Sequence, residues 1–194
     1  VYSEGRFYEP RLRWTGEGGA KPILDYVFAA GCLQHVTSEK GETIFEGDRN
    51  GWYRTSIFGL FSAVGEQQLV VAGIAEDDLT QAINEYPIWL CDDDNREITD
   101  FIGLDEDRKK IVFVHAKMGK QEEGGTGFNV SSLQDVGRQA LASLPFISRS
   151  EPSPVWTAER WQANVQANTV QLDGRNRIFK NGPGLAPDQL NERL

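Results

Sequence analysis

Two hydrophobic rhythms divide the chain. Up to about residue 75, apolar and aromatic side chains come in short alternating runs at Arg6–Trp14, Ile23–Ala30, Thr43–Glu46, Trp52–Leu60 and Gln68–Gly73, with glycine-rich breaks at Gly16–Gly19 and Gly47–Gly51. Alternation with a period of two turns one side of a strand inward, so residues 1–75 are predicted to form a β-rich N-terminal portion. From residue 76 the spacing changes. Leu79, Ala82, Ile83 and Tyr86 follow Glu76-Asp77-Asp78 at helical intervals, the acids suit the positive end of a helix dipole, and Pro87 ends the helix. Ile88–Cys91 reads as a buried strand, Glu97–Leu104 as a second and Ile111–Ala116 as a third. A Gly-rich loop, Gly119–Gly127, leads to a helix from about Ser131 to Leu144, capped by Ser131 or Ser132, with Leu133, Val136, Ala140, Leu141 and Leu144 on one face. After Pro145 the chain is rich in Pro and Ser to Pro154. Another helix starts near Thr157, and a strand or hairpin through Thr169–Lys180 turns at Asp173-Gly174.

These elements predict an α/β chain of mixed α+β type, a central mixed sheet with a three-strand meander flanked by helices. Residues 76–150 form its core, and residues 151–194 add a helix and strand that continue the same domain. No repeat of 20–50 residues is present, which argues against solenoids and propellers. No apolar run reaches the roughly 18–20 residues of a membrane span, and no basic stretch followed by an apolar one opens the chain. The opening Val1 and the helix-like start at Pro187–Leu190 suggest a domain of a longer protein. Cys32 and Cys91 form no CxxC pair and no disulfide framework, so a reducing, cytoplasmic setting is expected.

Charge changes the picture by segment. The chain has 194 residues and a net charge of −9, but residues 1–75 carry −2, residues 76–107 carry −11 and residues 108–194 carry +4. Most of the acids, among them Asp77, Asp78, Asp92–Asp94 and Asp105–Asp107, suit helix starts and turns. A local acidic cluster beside a basic half also suits a cation-dependent phosphodiester site.

Pairing the second and third strands across a Glu106–Lys109 loop sets Asp105 against Lys110, Leu104 against Ile111, Ile102 against Phe113 and Asp100 against His115. Cross-strand charges at Asp105/Lys110 and Glu106/Lys109 favour that register. Ile98, Asp100, Ile102 and Leu104 then share a face with Ile111, Phe113, His115 and Lys117, placing three polar groups on an apolar surface. The opposite face carries Phe101, Val112, Val114 and Ala116, so the hairpin is expected inside a sheet covered on both sides. A buried Asp100 needs a partner or a cation. Pairing with His115 or with Lys117 would satisfy it structurally.

A helix, a meander with Asp on its middle strand, a following strand ending in x-Lys, and then a helix together resemble the core of the PD-(D/E)xK phosphodiesterases. The matching stretches are Glu97-Ile98-Thr99-Asp100-Phe101, Val114-His115-Ala116-Lys117 and Arg138-Gln139-Ala140-Leu141. The resemblance implies a restriction-endonuclease-like nuclease domain, similar to those attached to helicases in bacterial defence systems, with DNA as partner. It makes Asp100 a ligand of a divalent metal, Mg²⁺ or Mn²⁺, and Lys117 the group that positions the attacking water or neutralises phosphate charge. Gln139 matches a helix glutamine of several branches. His115 departs from the usual acid; imidazole is a poor Mg²⁺ ligand and a better one for Mn²⁺, Zn²⁺ or Ni²⁺. A remaining acid would come from the preceding helix, Glu85 or Glu76, with Glu97 or Asp93 nearer in sequence. Arg138, Arg175, Arg177 and Lys180 are the candidate nucleic-acid contacts. The rival expectation is an inactive interaction or nucleic-acid-sensing module of the same fold. A Zn²⁺ site of Cys32, His35, Cys91 and His115 has the atoms but little spacing to support it.

Overall fold

The computed structural model describes residues 2–3, 6–7, 30–41, 48–93, 98–118, 130–147, 156–167 and 170–194. Residues 1–30 and 31–194 form two compact units. In the first, β1 (Tyr2–Ser3) pairs antiparallel with β2 (Arg6–Phe7). The second begins with a 3-10 turn at Gly31–Leu33 and continues through α1 (Arg49–Thr55), α2 (Ile57–Gly65), α3 (Leu69–Ala72) and α4 (Asp78–Asn84). Strands β3 (Ile88–Cys91), β4 (Phe101–Asp105) and β5 (Lys110–Val114) follow. Then come α5 (Val130–Ile147), α6 (Ala158–Gln162), β6 (Asn164–Ala167), β7 (Val170–Asn176), β8 (Ile178–Asn181) and α7 (Pro187–Arg193).

The fold is α+β around a four-stranded sheet in the order β5-β4-β3-β8. The meander has the expected register, with Ile102 opposite Phe113, Leu104 opposite Ile111 and Asp105 opposite Lys110. Every pairing in this sheet is antiparallel, so it is not the mixed sheet that the sequence suggested. The hairpin also lies at one side of the sheet: β4 is buried throughout, whereas β5 is half-buried at the edge. Asp105 pairs with Arg108 (3.2 Å) and Glu106 with Arg193 (2.9 Å), so alternation rather than the expected ion pairs carries the register.

One face of the sheet packs on α2. Phe61 stacks on Phe101 with ring centroids 4.0 Å apart and meets Trp89 edge-on at 5.0 Å, while Phe58 tilts against Phe101 at 4.6 Å. The other face buries Ile88, Leu90, Ile98, Ile102 and Leu104 against Trp156, Trp161 and Leu190. At about 1.5–3 kcal/mol for each large buried side chain, these two layers dominate the folding energy.

The β-rich reading of residues 1–75 holds at the short β1–β2 pair but not at Trp52–Leu60 and Gln68–Gly73, which lie in and at the ends of α1, α2 and α3. Two caps decide it locally. Asp48 Oδ1 accepts from the Gly51 amide at 2.8 Å and Ser56 Oγ accepts from the Gly59 amide at 2.9 Å. Because Phe58 through Val64 are all buried, α2 has no polar face, and an apolar run of this kind carries no helical period to read. Gly59 allows α1 to approach closely, since a Cβ there would stand 2.0 Å from the Trp52 carbonyl oxygen. Residues 31–75 therefore belong to the unit that holds the sheet.

Three further expectations are corrected. Helix α5 runs through Pro145 to Ile147, and among its side chains described in the structure Ser143 is the buried one, while Leu141 and Leu144 are exposed. The proline sits in the last turn, where it removes a single backbone bond. Asp173 and Gly174 lie within β7, and the chain reverses instead between Ala167 and Val170. The strands expected over residues 8–14, 23–29 and 43–46, and the Gly119–Gly127 loop, lie outside the described residues. Among the described residues no helix is long and apolar enough to cross a membrane.

Candidate functional site

Asp100 and His115 come together where β3 ends, β4 begins and β5 ends, while Lys117, two residues beyond His115, has its Nζ 3.5 Å from Glu39. Asp100 just precedes β4, whose ladder with β5 ends at the Phe101/Val114 pair, and its amide donates to the Val114 carbonyl at 3.1 Å, one position out of that register, so the expected Asp100/His115 pair is not part of the ladder. Its side chain is 6% exposed, and Oδ2 accepts from the Ala116 amide at 2.8 Å. His115, with a side chain 7% exposed, turns Nδ1 toward Asp100 Oδ2 at 3.8 Å, beyond hydrogen-bonding distance.

The tautomer of His115 follows from Ser143. Ser143 Oγ lies 2.5 Å from the Ile98 carbonyl oxygen and 2.9 Å from the Gln139 carbonyl oxygen, so its single proton must go to a carbonyl. His115 Nε2, 2.8 Å from the same hydroxyl, is then the donor. Nδ1 of the neutral ring carries a lone pair, and that lone pair faces a carboxylate. Two bases thus confront each other across a gap that a proton or a cation would fill.

Electrostatics agree with this arrangement. Burial pushes the Asp100 carboxyl up to about 6, against the Ala116 hydrogen bond that pulls it down. The negative charges of Asp93 and Glu39 push it further up and Lys40 pulls it down. Burial lowers the pKa of His115, which keeps the imidazole neutral near pH 7.

Three neighbours escaped the sequence reading or were left at its margin. Asp93, 6% exposed, holds Lys40 Nζ on Oδ1 at 2.5 Å. Glu39 Oε2 stands 3.5 Å from Lys117 Nζ and accepts from the Met118 amide at 3.4 Å. Ser143 fixes the imidazole. Asp100, His115 and Ser143 also stand in the order of a hydrolase triad, but Ser143 is 2% exposed and its proton is engaged by carbonyls, so it is no nucleophile.

Other candidates are not brought to this place. Glu85 is exposed and pairs with Arg108 at 3.1 Å beside the β4–β5 turn, a hairpin length of about 17 Å from Asp100. Glu76 is exposed, and Glu97 lies outside the described residues. Arg177 is buried, donating from Nη1 to the Cys91 carbonyl at 3.3 Å and to the Asp93 carbonyl, so it braces the end of β3 instead of meeting a phosphate. Lys180 donates to the Asn84 carbonyl at 2.7 Å and to Asn84 Oδ1 at 3.0 Å. Arg138 is exposed and pairs with Asp135 at 2.5 Å. The Arg175 side chain lies outside the described set. Gln139 shares the Ser143 face of α5, one turn earlier, and its Oε1 is buried without a hydrogen-bond partner among the described residues.

The acid next to Asp93 has a different task. Asp92, fully buried, accepts from Arg160 Nε at 2.7 Å and from the Ile98 amide at 2.9 Å, locking the chain on both sides of residues 94–97. Cys32 and Cys91 are buried thiols, each pushed up to about 12 chiefly by burial. Thiolates are what zinc binds, so these two are poor ligands. Among the described residues no group of three or more His, Cys, Asp or Glu side chains is placed to hold a metal ion. Comparison with family models, curated proteins and solved structures finds no match to this chain.

Proposed function

We propose that the chain is a nuclease-type domain that hydrolyses phosphodiester bonds in DNA, as one part of a larger defence or DNA-processing protein. The confrontation of the His115 Nδ1 lone pair with the Asp100 carboxylate, with Lys117 two residues further along the chain, carries this reading. Two facing bases in a buried setting fit a divalent cation at two protein donors, and the imidazole favours Mn²⁺ over Mg²⁺. A bound cation supplies charge to the phosphate and lowers the pKa of a water. The chain's own groups do the rest. Ser143 holds the imidazole in the Nε2–H tautomer, and the Ala116 amide orients the Asp100 carboxylate. Lys117, 40% exposed and 3.5 Å from Glu39, reaches a phosphate oxygen and balances its developing charge.

A second reading, a silent nucleic-acid-binding module, is favoured by Lys40 and Lys117, which already neutralise Asp93 and Glu39. One experiment addresses both. The protein is incubated with plasmid and linear DNA in Mn²⁺, in Mg²⁺ and in chelator, with Asp100→Asn as control. Cleavage in Mn²⁺ that disappears with Asp100→Asn supports the nuclease; binding without cleavage in any metal supports the silent module.

A further inference from the structure

Glu39 reaches Lys117 from a distant but fixed part of the chain. Residues 37–40 are tied to the junction of α1 and α2: the Thr37 and Ser38 amides donate to the Thr55 carbonyl at 2.9 and 3.0 Å, and the Glu39 carbonyl accepts from the Phe58 amide at 3.1 Å and from Ser56 Oγ at 3.3 Å. Trp52 Nε1 closes this strap by donating to the Lys40 carbonyl at 3.0 Å. Phe58 and Phe61 of α2 pack in turn on Phe101 of β4, so the strap and the sheet share one frame. From that frame Glu39 Oε2 stands 3.5 Å from Lys117 Nζ and accepts from the Met118 amide at 3.4 Å. Asp100 Oδ2 accepts from the Ala116 amide at 2.8 Å, so the amides on both sides of Lys117 rest on carboxylates. Of the ion pair the acid is the better shielded member, 17% exposed against 40% for the lysine.

We propose that Glu39 is the positioning residue of Lys117: its carboxylate, anchored on the α1–α2 junction, holds the ammonium beyond the end of β5 in one place, ready for a phosphate oxygen. This inference rests on the phosphate role given to Lys117. A lysine carries a mobile point charge on a flexible four-carbon stem, and a reaction gains when such a group is ordered before the substrate arrives. A single oxygen, Glu39 Oε2, meets both the Met118 amide and the Lys117 ammonium, which ties the tip of the side chain to the backbone that follows it. The pair is too exposed to add much to stability, so its use lies in where it puts the charge.

The test compares wild type, Glu39→Gln, Lys117→Ala and the double variant. Glutamine keeps an oxygen for the Met118 amide and removes the charge that draws the ammonium. Steady-state cleavage of a DNA duplex in Mn²⁺ should show kcat about tenfold lower in Glu39→Gln, with KM and Tm close to wild type. Adding Glu39→Gln to Lys117→Ala should bring no further loss, because the two residues act as a unit. Unchanged kcat, or an equal loss in both backgrounds, overturns the proposal. The order of the Lys117 side chain, read from carbon NMR relaxation at its Cε in the metal-free protein, needs no activity: it should fall in Glu39→Gln, and equal order in the two proteins overturns the proposal. Wild type that cleaves in no metal overturns the nuclease reading; the NMR measurement then still decides Glu39, with lost order supporting its hold on Lys117 and unchanged order overturning it.

Discussion

Replacing Asp100 by Asn in metal-free buffer should stabilise the protein, and by an amount that depends on pH. In the unfolded chain an aspartate gives up its proton near pH 3.9, whereas the folded Asp100 does so at about 6. Between these values the native state holds the extra proton, so stability falls as pH rises, and the full penalty stands above about pH 7. A gap of about 2 units at about 1.4 kcal/mol each gives an upper figure of about 3 kcal/mol. Asparagine keeps an oxygen for the Ala116 amide and carries no charge to bury, so most of that figure should return as stability. For a chain of this size it corresponds to about 5–10 °C in Tm. His115 gives a slope of the opposite sign, because its lowered pKa favours the folded state as pH rises toward 6.5, but it is common to both proteins and largely cancels in the difference. Urea or thermal unfolding of the two proteins in chelator, from about pH 4 to 8, measures the gap. It should be near zero at the acid end and largest at pH 8. A gap that does not change with pH, or a variant less stable than wild type at pH 8, refutes the reasoning and makes Asp100 a satisfied structural partner.

Lys117→Ala should lower DNA cleavage by about 10²–10⁴ and leave Tm nearly unchanged, since the side chain is 40% exposed and 3.5 Å from Glu39; equal cleavage rates would remove it from the reaction. Ser143→Ala leaves the Ile98 carbonyl and His115 Nε2 without their shared hydroxyl, which should cost about 1–3 kcal/mol in urea unfolding and mix the imidazole tautomers in nitrogen NMR spectra. A single unchanged tautomer would show that something else fixes the ring. Arg177→Met strips the Cys91 and Asp93 carbonyls of their buried donor and should destabilise the fold by a few kcal/mol. DNA affinity lost without any loss of stability would return Arg177 to the surface role expected from sequence.

The meander was legible because adjacent strands report on each other: inside the hairpin, alternation alone aligns Ile102 with Phe113 and Leu104 with Ile111. The nearness of Asp100 to His115 was suggested by that alignment, whereas the contact of Lys117 with Glu39 was not. Nor were Glu39, Lys40 and Ser143 suggested by it, because they reach the site from 79, 53 and 45 positions away from their partners Met118, Asp93 and Ile98. No periodicity links such pairs. Arg177 misled for a related reason: alternation within a strand says which side chains share a face, not whether that face looks outward, and the carbonyls that bury it belong to another strand.

The position of β8 also has a consequence for synthesis. β3 is an interior strand, yet its second neighbour is separated from it by most of the rest of the chain, with 86 positions between Cys91 and Arg177. At about 5–20 residues per second, a ribosome takes about 4–17 s to supply it. Throughout that interval Ile88-Trp89-Leu90-Cys91 can pair only with β4, and its other edge offers bare amides and carbonyls of the kind that capture a foreign strand. The arrival of Ile178–Asn181 closes that edge, and the guanidinium just before it ties down the carbonyls of Cys91 and Asp93. The acidic end of the sheet is thus the last part of that sheet to be finished, once β8 has been added.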